Sequence, residues 1–164
     1  MPDLLRIPAW TASNLLHVIV ETPRGARAKL EFDPELATFV LSKSLVLGLS
    51  YPYHWGFVPS TLAEDGDPLD AMILHDVATT PGLVLRCKPI GVLAVMQASK
   101  GKRIRNDRIF AVPTESHRED ELDDVRELPS EVKDELQTFF KATDSWKTRR
   151  SSSSDGADRR KPRN

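Results

Sequence analysis

The sequence predicts one α+β domain in which a partly closed β-barrel carries helices on one side. Three observations lead there. Short β-rich runs separated by turn residues fill the chain to residue 113, a helical apolar period follows from Ser130, and the longest β-rich run contains Pro89 and Gly91, which suit a bend where a barrel turns a corner.

Taken in order, residues 15–21 and 28–33 flank Pro23-Arg24-Gly25, which reads as a hairpin. In the second run Lys29 and Glu31 share one face and Leu30 and Phe32 the other, because strand side chains alternate. Residues 37–41 and 71–77 read as further strands, and 83–97 as one long strand with Cys87 buried in it. A basic loop is expected at 100–105 and another strand at 108–112. Glu119 to Asp124 reads as a solvated acidic segment. From Pro129, with Ser130 as a possible N-cap, Val132, Leu136, Phe139 and Phe140 lie on one helical face that should pack on the sheet. The expected division is a domain over 1–147 and a disordered basic tail over 148–164, whose composition offers little apolar surface to offset the entropy of ordering.

With 164 residues, 40% hydrophobic and 29% charged, the chain is long enough for a core of its own. No apolar run approaches the roughly 18–20 residues of a membrane span, and the start lacks the pattern of a secretory signal, so the expected address is cytoplasmic with no membrane partner. One cysteine excludes an intramolecular disulfide and a multi-cysteine zinc site. The net charge of −1 divides unevenly: residues 147–164 hold seven Lys and Arg against two Asp, leaving −6 on the rest. An acidic body is a poor surface for phosphate backbones, so no nucleic-acid partner is expected, although small barrels do bind single strands.

The segment most suggestive of chemistry is Glu64-Asp65-Gly66-Asp67-Pro68-Leu69-Asp70. Crowded carboxylates raise one another's pKa and call for divalent cations or a shared proton. A solvated acidic turn is the competing reading, since Asp and Gly are common turn residues. An EF-hand is excluded, because Leu69 and Asp70 stand where that loop needs a ligand and a glycine. The histidines at 17, 54, 75 and 117 show no ligand spacing and read as surface or core residues. The aromatic cluster around Tyr51, Tyr53, Trp55 and Phe57 reads as core packing.

Val18-Ile-Val-Glu-Thr-Pro, Ala28-Lys-Leu-Glu-Phe-Asp, Tyr51-Pro52 with Trp55-Gly56-Phe57, Asp65-Gly-Asp-Pro-Leu-Asp70, Pro81-Gly82, Arg86-Cys-Lys-Pro-Ile-Gly-Val-Leu93 and Ala111-Val-Pro113 together resemble soluble family I inorganic pyrophosphatases, over residues 15–141. The resemblance implies a small OB-like mixed or antiparallel β-barrel with helices packed on it. It also implies magnesium-dependent hydrolysis of pyrophosphate by a metal-activated water, in a cytoplasmic homo-oligomer. Asp67 then corresponds to the general base. Asp65, Asp70, Glu31 and Glu21 correspond to the family's acidic residues and are candidate Mg2+ ligands, while Lys29 corresponds to a phosphate-binding lysine.

Other positions depart from the family pattern. Lys43 stands for an arginine and keeps charge without the bidentate fork, so it remains a candidate substrate contact. Trp55 stands for a phosphate-contacting tyrosine and Gln97 for a metal-binding aspartate. Asn106 stands for another such aspartate, with Asp107 beside it as a candidate ligand that requires a shift of the loop. Arg108 stands for a lysine and is the third candidate substrate contact. Thr143 and Asp144 replace a tyrosine and a lysine. Losing donors that stabilise a transition state costs about 10²–10³ each in rate. The alternative is therefore a catalytically impaired homologue that binds phosphate compounds, metals or a protein partner.

Overall fold

A computed structural model describes residues 3–94, 96–99, 101–116 and 122–153. After a short 3-10 turn at Leu4–Arg6 come β1 (Leu16–Thr22), β2 (Ala28–Asp33), β3 (Thr38–Ser44), β4 (His54–Val58), β5 (Leu69–Ile73), β6 (Val84–Leu93), β7 (Met96–Ser99), β8 (Lys102–Arg105) and β9 (Arg108–Pro113). A second 3-10 turn at Val125–Glu127 precedes α1 (Ser130–Ser153). Five strands close a barrel in the order β1-β4-β5-β9-β6. Only β5 and β9 run parallel, so the barrel is mixed.

Two apolar clusters follow from strand alternation. All five barrel strands contribute to one, through Leu16, Val18, Val20, Val58, Ala71, Ile73, Cys87 and Ala111. In β5, Met72 instead joins the other cluster, where Leu136 and Phe139 of α1 meet Tyr51, Tyr53, Trp55, Ile90, Phe110 and Val112. Each large side chain buried there contributes about 2–3 kcal/mol. This seam fastens α1 to the barrel, as the apolar period predicts.

The expected bend is present: the β6–β9 register shifts between Pro89 and Gly91. A Cβ at Gly91 would overlap the Val125 side chain, so the bend also seats the second 3-10 turn.

Several expectations are corrected. The 15–21/28–33 hairpin does not form a ladder, because both edges of β1 are occupied by β4 and β6, and β2 pairs with β3 instead. The 83–97 run is two strands. Residues 102–105 are a strand and not a loop, pairing with β7 across a turn at Gly101, whose φ is 77°; their charged composition hides the strand. The aromatic cluster includes a strand, β4, buried at every residue and therefore without a period-two signal. Among the described residues the helical part consists of one α-helix and two 3-10 turns. Ser130 is the first helical residue, and the Pro129 carbonyl accepts from Val132 and Lys133.

The helix runs on to Ser153, past residue 148, where the tail is expected to begin; residues 154–164 lie outside the described residues. Of the acidic segment, residues 119–121 also lie outside them, while Leu122 is buried and Asp123 pairs with Lys88 at 2.8 Å. No described helix is long and apolar enough to cross a membrane.

Candidate active site

A cavity of about 420 Å³ opens beside the barrel, walled by β1, β2, β3, β4, the 65–70 segment, the start of β9 and α1. Glu21, Lys29, Glu31, Lys43, Asp65, Asp67, Asp70 and Arg108 all line it. Residues spread over 88 positions of sequence thus meet at one place.

The backbone explains how. Glu21 is the penultimate residue of β1, where its carboxylate accepts the Phe32 N–H at 2.7 Å. Next to it the Thr22 hydroxyl donates to the Leu30 carbonyl at 2.9 Å and accepts the Leu30 N–H at 3.1 Å. These side-chain bonds join β2 to β1 in place of a ladder. Lys29 and Glu31, on the same face of β2 as alternation requires, form an ion pair. Lys29 is also the cross-strand partner of Lys43, next to a register shift between Lys29 and Leu30. Two cations at opposed positions repel one another and are suited to an anion between them.

The acidic segment is a shaped turn. Gly66 has φ of 89°, the Asp65 carboxylate accepts the Asp67 N–H at 3.1 Å, and the Asp67 carbonyl accepts from Ala63 at 2.7 Å. Asp67 is exposed at the cavity, while Asp70, in β5, is half-buried in its wall. Burial pushes the Glu21 carboxyl up to about 7, with Asp70 and Glu31 adding to it. Asp70 is raised by burial against the pull of Arg108 and Lys29. Asp67 is raised by burial and by Asp65. Desolvated, mutually repelling carboxylates of this kind fit a hard divalent cation, which takes oxygen ligands. They ring the cavity: among the described residues no three His, Cys, Asp or Glu side chains converge on one metal position.

One expected ligand is elsewhere. Asp107 does not line the cavity, and its carboxylate accepts from Arg105 Nε at 2.7 Å. His17, His54 and His75 are also outside the lining, and His117 lies outside the described residues.

Residues to which the sequence reading gave no site role complete the walls. Tyr51 is buried, with its hydroxyl pushed up by burial and by the charges of Glu31, Glu21 and Asp70. Phe139 and Phe140 bring α1 over the cavity, with Phe139 4.9 Å from the Tyr51 ring and Phe140 6.0 Å from the Trp55 ring. Tyr51 could have been found as one of the two hydroxyl-bearing residues of the aromatic run, beside Tyr53; the two phenylalanines read only as a packing face.

Residues 18–162 match the family model described as inorganic pyrophosphatase. The chain belongs to the inorganic pyrophosphatase family. It is 38% identical over 140 residues to the inorganic pyrophosphatase of Synechocystis sp., covering 85% of this chain and 80% of that one. It is also 38% identical over 141 residues to that of Thermus thermophilus, covering 85% and 78%. The crystal structure of the Thermus thermophilus inorganic pyrophosphatase superposes with a TM-score of 0.82 at 33% identity, covering 92% of this chain and 84% of that one. That from Neisseria gonorrhoeae gives 0.73 at 26% identity, covering 84% and 79%.

Pyrophosphatases of this family need a divalent metal, and the positions where this member departs from the family pattern take clear places. Trp55, Asn106 and Thr143 line the cavity. Asn106 is buried and hydrogen bonds to Asp70, lowering its pKa against the effect of burial. The Thr143 hydroxyl donates to the Phe139 and Phe140 carbonyls at 3.1 and 2.9 Å, so it is engaged by its own helix. Position 97 pairs with Ile104 in the β7–β8 hairpin; the side chains of Gln97 and Asp144 lie outside the described ones.

Proposed function

We propose that this chain hydrolyses inorganic pyrophosphate to two phosphates in the cavity beside the barrel, with Mg2+, in a cytoplasmic homo-oligomer. The observation that carries the reading is that one cavity gathers five carboxylates with Lys29, Lys43 and Arg108. That is the charge pattern a metal-bound polyphosphate anion requires.

Glu21, Glu31, Asp65 and Asp70 are the candidate ligands spread around the cavity, and a divalent cation bound among them would neutralise the anion and lower the pKa of water. Lys29, Lys43 and Arg108 bind phosphate oxygens and fix the orientation of the diphosphate. Asp67, an exposed carboxylate of the turn that lines the cavity, takes the proton of the attacking water at its own oxygen. The water oxygen bonds to one phosphorus as the bridging P–O bond breaks and the second phosphate leaves. Burial and Asp65 raise the Asp67 pKa above the ordinary carboxylate value, which strengthens it as a proton acceptor.

A second reading, an impaired homologue that binds phosphate compounds or a protein, is favoured by Asn106 standing in the cavity wall as a neutral amide. Phosphate release from pyrophosphate with millimolar Mg2+, measured beside the Asp67→Asn variant purified identically, separates the two. Hydrolysis is expected in the wild type with a loss of at least about 100-fold in the variant. Equal and measurable release by the two proteins would refute the role of Asp67, and no release by either would favour the binding reading.

A further inference from the structure

We infer that Trp55 and Phe140 are positioning residues that form an aromatic corner around Arg108 and hold its guanidinium as a preset receptor for one phosphoryl group of the substrate. The inference rests on the pyrophosphatase reading above and adds to it two residues that carry no phosphate-binding chemistry of their own.

The geometry is specific. Arg108 Cζ lies 5.2 Å from the Trp55 ring centroid and 5.3 Å from that of Phe140. The two centroids are 6.0 Å apart and the rings meet at 67°. The three points form a nearly equilateral triangle, so the guanidinium sits in a corner and is not clamped between parallel plates. Two sides of the cation are covered by aromatic surface, and the residue lines the cavity on the side that remains.

The bonding of Arg108 supports a receptor rather than a structural cation. The residue is 7% exposed, and among the described residues its Nε has no hydrogen-bond partner. Its Nη1 reaches the Asn106 carbonyl only at 3.5 Å. Among the described residues no carboxylate stands within ion-pair distance of it, although Asp70 is its register partner on β5 and feels its charge. A buried guanidinium with five donors ordinarily satisfies them with carboxylates or carbonyls. Here ring quadrupoles offset part of the desolvation and leave the donors for an incoming anion. A planar fork with donors to spare matches two oxygens of a phosphoryl group.

Each ring is held by a different element. Trp55 is fixed in β4, which is buried throughout, and Phe140 is set by α1. Trp55 has one N–H and no acceptor, so hydrogen bonding to phosphate through it is limited. Arginine has high rotamer entropy, and fixing it before binding removes a cost that would otherwise fall on substrate affinity.

The test is a mutant cycle read by binding and by kinetics. Affinity for imidodiphosphate, a non-hydrolysable diphosphate, is measured calorimetrically with Mg2+ for wild type, Trp55→Leu, Trp55→Phe, Phe140→Leu, Arg108→Gln and Arg108→Gln/Trp55→Leu. KM and kcat for pyrophosphate are measured alongside, and thermal melting reports the fold of each variant. Trp55→Leu and Phe140→Leu should each weaken binding by about 5- to 20-fold with a matching rise in KM and a smaller change in kcat. Trp55→Phe, which keeps a π face, should recover most of the loss. In the Arg108→Gln background Trp55→Leu should add less than about 2-fold, because nothing remains to position.

A Trp55→Leu effect that persists undiminished without Arg108, or equal losses for Trp55→Phe and Trp55→Leu, would overturn the inference in favour of simple packing. Imidodiphosphate binding that shows the expected coupling in a protein that releases no phosphate would sustain the corner and refute the hydrolytic reading. Absence of any imidodiphosphate binding to the wild type would overturn the corner as a receptor, while hydrolysis measured independently would still stand.

Discussion

Replacing Glu21 by Gln should make the metal-free protein more stable at pH 8 and leave it nearly unchanged at pH 4.5. Burial holds the Glu21 carboxyl at about 7 in the folded chain against an ordinary 4.5. Between those values the native state keeps a proton that the unfolded chain has released, so stability is intact below pH 4.5 and is lost as pH rises through 7. At about 1.4 kcal/mol for each pH unit across that window, the loss attributable to Glu21 by pH 8 is about 3 kcal/mol. Glutamine is nearly isosteric and still offers the Phe32 N–H an oxygen, so the substitution removes the charge and spares the bond that seats β2. The assay is urea unfolding in EDTA, followed by tryptophan fluorescence, for both proteins at pH 4.5 and 8. Asp67 and Asp70 are raised in the same direction and contribute to the wild-type slope, so the quantity that isolates Glu21 is the difference between the two proteins. That difference should grow by about 3 kcal/mol from the lower to the higher pH. Growth of less than about 1 kcal/mol would refute the argument that burial outweighs the Phe32 N–H and Lys29 in governing this carboxyl.

Two further outcomes follow from the packing. Gly56→Ala should destabilise the protein by about 3 kcal/mol or more, because a Cβ there would overlap the Ile19 carbonyl oxygen and come within 2.9 Å of its carbon, and backbone cannot move aside as a side chain can. Differential scanning calorimetry should show a fall of about 6–12 °C in Tm, and a Tm within about 2 °C of wild type would contradict the close β1–β4 approach. Cys87 is fully buried, with its thiol pushed up to about 12, so it should not react with a thiol reagent at pH 8 in the native protein and should react at once in urea. Rapid labelling of the native protein would show that β6 opens.

The local elements were legible in proportion to their periodicity. Val132, Leu136, Phe139 and Phe140 mark the packing face of α1, and Lys29 and Glu31 share a face of β2 as alternation demands. Pro89 and Gly91 mark the barrel bend because neither residue suits an uninterrupted ladder. Strand β4 was hidden because it is buried on both faces and has no alternation, and β8 because its residues are mostly charged. Asp107 does not line the cavity, because sequence proximity to Asn106 says nothing of direction, and in the fold its carboxylate turns to Arg105.

By itself the sequence determined the composition of the site: which residues carry acid, which carry base, and which turn can present three carboxylates, since these are properties of side chains and of short-range backbone preference. The tertiary structure alone decided who meets whom. Closure of β1-β4-β5-β9-β6 leaves β2 no edge on β1, so Thr22 and Glu21 hold it by side chains and Lys29 comes to face the same cavity as Asp70. The docking of α1 turns two apolar helix positions into a cavity wall and one of them into a partner for Arg108. Burial then fixes the charges, because a pKa depends on the solvent removed by distant segments and not on neighbours in the chain.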